Sequence, residues 1–216
     1  MTIDLYYVPT SPPVRIVRLV AAAVGIPLNL KLVNLKAGEQ LEPEFLKKNI
    51  QHAVPTIDDN GFYLSESRAI AIYLVDKYAK NDELYPKDPE ARALVNQRLF
   101  FDATTLYQRF IDYYFPVIFA GASFDPAALV KIDEAFGWLD SFLEGQEYLA
   151  GNNLTIADLA LVAGVSTYDS FDYDLSKYEN VVRWYSHLKK TAPQYDQANG
   201  NGVEELRANS AVLLRK

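Results

Sequence analysis

The chain has 216 residues, half of them hydrophobic, which is enough to fill a substantial core, and it carries a formal net charge of −7. That charge, with no basic stripe to override it, excludes a sequence-independent grip on nucleic acid. The absence of cysteine excludes disulfides, thiolate metal sites and a cysteine nucleophile of the protein's own.

No apolar run approaches the ~18 residues of a membrane span, so no membrane partner is expected. The opening MTIDLYYV lacks a basic region followed by a long apolar stretch, and the expected location is the cytoplasm.

Ile3 to Val8 is a β-branched and aromatic run, Pro12 to Val24 has apolar residues at helical spacing, and Leu28 to Leu35 alternates through Leu28, Leu30 and Leu32. Pro43 to Lys48 predicts a short helix. Pro55 to Ile57 and Phe62 to Leu64 flank an Asp59-Asn60-Gly61 turn, and Ser65 opens a helix to about Tyr78. The order is βαβ followed by ββα.

Ala79 to Pro89, AKNDELYPKDP, is polar with two prolines and reads as a linker. Beyond it the pattern is helical: Ala91 to Phe119 with an interruption at Pro116, then Asp125 to Glu144, Thr155 to about Val165, and Asn180 to Lys190. Thr155 and Asp158 form a capping-box pattern ahead of a run that is apolar nearly all round, which predicts a central buried helix. The expected fold class is therefore α/β plus all-α, with domains at 1–80 and 90–216 joined by a linker at 81–89.

In YYVPTSPPVR, Ser11 stands at a helix start, where serine is a preferred cap and proline a preferred first residue. Pro12 and Pro13 carry no N–H, so the nearest amide open to the Ser11 oxygen is that of Val14, and the hydroxyl proton remains free to donate outward. A donor at a positive helix end favours an anion such as a thiolate.

Val54-Pro55 could form a cis turn that leaves the Val54 backbone open to an extended peptide, and a buried trans turn is the ordinary alternative. Ser65-Glu66-Ser67-Arg68 offers amides and hydroxyls for a carboxylate, with Glu66 for an ammonium and Arg68 to assist or to hold Glu66. His52 suits an anion contact. Tyr107, Phe110, Tyr114, Phe115 and Phe119 share one broad sector of a helix, which is either core or the wall of an aromatic pocket. Pro116 is expected to bend or break that helix.

SPPVR after the first strand, LKLVNLKAGEQLEPEFLKKN, QHAVPTIDDNGFYLSESRAIAIYLVDKY, LYPKDP and LTIADLALVAGVST together resemble the cytosolic glutathione transferases, in particular the insect delta class and its epsilon neighbours. The resemblance spans essentially the whole chain. It implies a thioredoxin-like N-terminal domain, a helical-bundle C-terminal domain, a homodimer, glutathione as co-substrate, no metal or other cofactor, and transfer of hydrophobic electrophiles to the glutathione thiol in detoxification. A carrier of apolar ligands on the same fold is the alternative.

By the same resemblance Ser11 is the catalytic hydroxyl at the glutathione sulfur. His52, Ala53, Val54 and a cis Pro55 line the cysteinyl and glycyl parts. Glu66, Ser67 and Arg68 hold the γ-glutamyl head, and Pro13 joins Tyr107, Phe110, Tyr114, Phe115 and Phe119 in the electrophile pocket.

The chain departs from the delta pattern at Ile50 and Gln40, where many members have proline and histidine, so a glycyl-end contact from that second histidine is weakened or rerouted. Pro13-Val14 stands where many members have Pro-Cys, which is nearer the epsilon pattern. The rival for catalysis is Tyr7, and less so Tyr6, since other classes use a tyrosine ending the first strand. Strand alternation lets only one of the two face the site.

Overall fold

The computed structural model describes residues 2–214. Four strands, β1 (Ile3–Tyr7), β2 (Leu28–Leu32), β3 (Thr56–Asp59) and β4 (Phe62–Ser65), form one sheet in the order β2-β1-β3-β4. β1 pairs with β2 in parallel, and the β1–β3 and β3–β4 pairs are antiparallel. Between them run α1 (Pro12–Val24) and the short α2 (Pro43–Leu46), and α3 (Ser67–Tyr78) follows. This is the expected βαβ-ββα order with a mixed sheet.

Alternation on β1 buries Ile3 and Leu5 against α1 and α3, whose Val17, Leu19, Val20, Ile70 and Leu74 are fully enclosed. β2 ends at Leu32 rather than Leu35. Asn34 stops it by accepting from the Ala37 amide and opening a 3₁₀ turn, and β2 is an edge strand whose Leu30 and Leu32 are 40% and 64% exposed.

The hairpin is the tight type the sequence predicts. Asp59 pairs with Phe62, and the two linking residues Asn60 and Gly61 have φ of 55° and 91°, the positive values that such a turn requires. α3 begins at Ser67 rather than Ser65, because Ser65 still pairs with Thr56 in the sheet and Glu66 turns the chain with φ of 68°.

The rest is helical: α4 (Pro89–Phe101), α5 (Tyr107–Ala120), α6 (Pro126–Phe142), α7 (Ile156–Ser170), α8 (Glu179–Thr191) and α9 (Asn201–Leu213). α4 and α5 are joined without a break by a π-helical turn over Asp102–Leu106. Pro116 does not interrupt α5. It lies one turn after the exposed Asp112 on the same solvent-facing side, so the hydrogen bond it removes frees a carbonyl that water can reach. Phe110 and Tyr114, expected as pocket wall, are each 4% exposed and belong to the core, where both rings pack against Tyr168 and Phe171.

α7 is central, with every side chain from Ile156 to Tyr168 buried, and it runs five residues beyond the expected end. Its capping box forms: the Thr155 N–H donates to Asp158 Oδ2 at 3.0 Å and the Thr155 hydroxyl accepts from the Ala157 amide. Asp158 also accepts from the Leu149 amide and from the indole of the enclosed Trp184, each at 2.9 Å, so one carboxylate fixes a helix start, a loop and α8. The sequence reading misses α9 and the π-helical turn at Asp196–Gly200 that leads into it.

Asp59 ties the hairpin to α3. Its buried Oδ2 accepts from Tyr73 at 2.6 Å, Lys77 at 2.7 Å and Tyr78 at 2.5 Å. Burial alone would raise its pKa, but hydrogen bonds from Lys77, Tyr73, Tyr78 and Asn60 outweigh it and hold the carboxyl well below the usual carboxylate range. A depressed native pKa gives stability that is complete above the unfolded value of about 3.9 and is lost as pH falls through the native one. Asp59→Asn is expected to lower stability at pH 7 by about 3 kcal/mol and to flatten the acid limb below pH ~4, measured by urea unfolding across pH. Equal stability of the two proteins at pH 7 would contradict this.

Candidate active site

The turn Val8-Pro9-Thr10-Ser11 leads from β1 into α1 and is closed by the Ser11 N–H donating to the Val8 carbonyl at 3.1 Å. Ser11 is extended, with φ of −70° and ψ of 119°, and its carbonyl accepts from the Arg15 amide at 3.1 Å, which starts the helix. Its side chain makes no capping hydrogen bond, not even to the Val14 amide. A partly exposed hydroxyl thus stands at the positive end of a 13-residue helix with no partner for its proton among the described residues.

Alternation separates the two tyrosines. Tyr6 lies edge-on to Phe45 with Lys48 over its ring, whereas Tyr7 packs against the core on the side of Ile3 and Leu5.

The two recognition segments meet because of the hairpin register. Thr56 pairs with Ser65, so residues 52–55 immediately precede, and 66–68 immediately follow, the same rung of the sheet. The Ser65 hydroxyl donates to Gln51 Oε1 at 3.2 Å and links the two turns directly. Val54-Pro55 is cis, and among the described residues neither the N–H nor the carbonyl of Val54 has a hydrogen-bond partner. His52 and Glu66 are exposed and adopt positive φ, 46° and 68°, which is uncommon for residues with a Cβ and concentrates at functional turns.

Asn49, to which the sequence reading gives no role, organises this loop. Buried, it donates to the Ala53 carbonyl at 3.1 Å and to the Thr56 hydroxyl at 3.0 Å, and it accepts from the Gln51 amide at 2.9 Å. Only the Asn-x-x-x-Ala spacing hints at it. Gln40 donates weakly to the Leu35 carbonyl at 3.4 Å, and its buried Oε1 has no partner among the described residues.

Arg68 turns away from Glu66 and into the helical domain. Its Nε and Nη2 both donate to Asp102 Oδ2, at 2.9 and 2.5 Å, and its Nη1 donates to Ser67 Oγ at 3.0 Å. Asp102 is fully buried on the π-helical turn, and burial pushes its carboxyl upward against the opposing effect of Arg68. The Arg68 guanidinium also lies 5.6 Å from the centre of the Tyr107 ring, so Tyr107 flanks the junction between the domains. Phe115 is partly buried and stacks edge-on with Phe119, which is 77% exposed. Asp102 was hidden in the sequence because an acid on an apolar stripe has no local signature, and its partner is 34 residues away.

Asn49→Ala removes three hydrogen bonds from one buried amide. We expect a loss of about 2 kcal/mol and faster amide exchange across residues 51–56, read by hydrogen-exchange mass spectrometry. Unaltered exchange there would contradict the role given to Asn49.

Among the described residues no group of three or more histidine or carboxylate side chains is placed to hold a metal ion, and no helix is long and apolar enough to cross a membrane. Residues 5–82 match the family model for the glutathione S-transferase N-terminal domain, and residues 106–190 match that for the C-terminal domain. The fold superposes on a delta-class glutathione transferase of Nilaparvata lugens with a TM-score of 0.96 and 54% identity, covering 98% of this chain and 99% of that one. An epsilon-class enzyme of the housefly, Musca domestica, is 40% identical over 98% of each chain with a TM-score of 0.92. A glutathione transferase homologue of Drosophila mojavensis with bound glutathione is 36% identical, with a TM-score of 0.90 over 98% of this chain and 97% of that one. With a thioredoxin-like sheet followed by a helical second domain, both family models matched in order and 54% identity over nearly the whole chain, the chain belongs to the glutathione transferase family.

Proposed function

We propose that Ser11 activates the thiol of glutathione for conjugation to hydrophobic electrophiles. The chain is an enzyme of the glutathione transferase family, whose co-substrate is glutathione. The observation that carries the serine assignment is the Ser11 hydroxyl at the start of α1, which makes no capping hydrogen bond, with Pro12 and Pro13 leaving Val14 as the nearest amide.

In this reading the hydroxyl donates to the sulfur and the helix start adds positive potential, so the thiol releases its proton to solvent water near neutral pH. The unpaired N–H and carbonyl of Val54 suit a strand-like pairing with the cysteinyl backbone, with Pro55 and Ala53 shaping the turn. Glu66 serves the ammonium and Ser67 the carboxylate of the γ-glutamyl end, where the first amides of α3 are also directed. His52 serves the glycyl carboxylate. Arg68 acts through its bonds to Ser67 and Asp102 and anchors the start of α3 to the helical domain.

The thiolate then attacks an electrophile held by Pro13, Tyr107, Phe115 and Phe119, with Phe110 and Tyr114 as the packed backing of that wall. The sulfur forms the new bond while the electrophile's leaving group departs with its electron pair, or while its double bond takes up the pair and a proton. Neither step needs a base from His52. We assign residues 1–80 to glutathione binding and 90–216 to the electrophile side, with 81–89 as linker, since α3 ends at Tyr78 and α4 starts at Pro89.

We also propose a homodimer, for which the exposed Phe62 and Phe100 supply apolar surface, and a cytoplasmic, detoxifying role.

Conjugation of glutathione to an activated chloronitrobenzene tests the assignment. Ser11→Ala is expected to lower kcat about 10- to 100-fold, the worth of one hydrogen bond to a charged atom, with KM for glutathione changed little. Tyr7→Phe is expected to leave turnover intact. The reverse pattern would move the catalytic role from Ser11 to Tyr7.

A further inference from the structure

The segment that the sequence reading missed touches the turn that carries Ser11. Gly202, in the first turn of α9, is buried, and a Cβ built on it would fall inside van der Waals contact of the Pro9 carbonyl oxygen and 3.0 Å from Arg15 Cδ. Its φ is not in the left-handed region, so no backbone conformation demands glycine there. Space does. In an exposed helix a glycine is about 1 kcal/mol poorer than alanine, and the close approach is what balances that deficit here.

The Pro9 carbonyl belongs to the central peptide of the Val8–Ser11 turn. The orientation of that peptide is the feature that distinguishes one β-turn type from another, and it sets the direction in which the following residue leaves the turn. The backbone of α9 seated against this carbonyl therefore fixes the plane from which Ser11 emerges. Two further bonds hold the same segment in place. Asn199 Oδ1 accepts from Arg15 Nη1 at 2.6 Å, and the Gln197 carbonyl accepts from Arg18 Nη2 at 2.5 Å.

We propose that Gly202 is a positioning residue for Ser11, the one place where the lack of a side chain lets the C-terminal helix set the direction of the Ser11 hydroxyl. The inference rests on the reading of Ser11 as the group that serves the glutathione sulfur. It adds that this service is controlled by a helix 191 residues further along the chain than Ser11, through contact with Pro9 and not with substrate.

The test is the pH dependence of kcat at saturating glutathione, with an activated chloronitrobenzene as electrophile. Gly202→Ala is expected to raise the apparent pKa of the acid limb by about one unit and to lower kcat below it about tenfold. KM for glutathione stays within about twofold, because Val54 and Glu66 are untouched. Gly200→Ala is the matched control, since its Cβ would meet only the Asp196 side chain, and it leaves the profile unchanged.

A structural loss alone would reduce the folded fraction of Gly202→Ala without moving the pKa, and that result overturns the inference. If Gly202→Ala does not fold, Arg18→Met decides. Loss of the tether at Gln197 shifts the profile in the same direction by a smaller amount, and an unshifted profile overturns the inference. If Ser11→Ala itself leaves the profile unmoved, the serine reading fails. If Ser11→Ala moves it and Gly202→Ala does not, only the positioning role fails.

Discussion

One fully buried guanidinium, that of Arg15, holds the Ser11 end of the first domain against the second. Arg15 is one turn into α1 from Ser11, and its Nη atoms donate to Ser166 and Thr167 of α7 and to Asn199, at 3.0, 2.5 and 2.6 Å. All three partners are neutral, and its Nε has no partner among the described residues. Burial pushes its pKa down to about 10, so it stays charged at neutral pH. A buried cation without a carboxylate is costly to desolvate and is tolerated only when its hydrogen bonds are geometrically fixed. Those bonds fix how α7 lies across α1 and where the C-terminal segment docks.

The proposed active site follows from that fixed frame. α1 presents Ser11 at its positive end, the hairpin register sets residues 52–55 beside residues 66–68, and Arg68 clasps Asp102 on the π-helical turn between α4 and α5. π-helical turns inside helices recur at functional sites, and this one supplies the carboxylate that anchors the start of α3. The positive φ values of His52 and Glu66 store local strain at the two turns assigned to glutathione, and the surrounding sheet holds them there. The sheet and the starts of α1 and α3 therefore hold in place the turns to which glutathione is assigned.

What the sequence made legible was local. TSPP marks a helix start, the paired prolines leave the serine oxygen only the Val14 amide close by, Asp59-Asn60-Gly61 marks the hairpin, and Thr155 with Asp158 marks the start of the central helix; each is a signal carried within a few residues. The misreadings came from tertiary context. Pro116 sits inside a continuous helix because its face is exposed, and Phe110 and Tyr114 became core because Tyr168 and Phe171 meet them from α7 and its end. Asp102 and Arg15 gave no readable sign, since their roles lie in bonds made across folded space, up to 184 residues apart, whereas the bonds of Asn49 are local and only its spacing to Ala53 hints at them. α9 goes unassigned for a related reason: NGNGVEELRANS opens with Asn and Gly, which favour turns, and what makes glycine fit at 202 is its packing on Pro9.

The central claim is that a hydroxyl at a helix end stabilises a thiolate. It is read most directly by titrating the thiolate absorbance of glutathione bound to the wild type and to Ser11→Ala. The account predicts a bound thiol pKa about one to two units below the free thiol value of about 8.5, returning toward that value in Ser11→Ala. Superimposable titrations of the two proteins would contradict it.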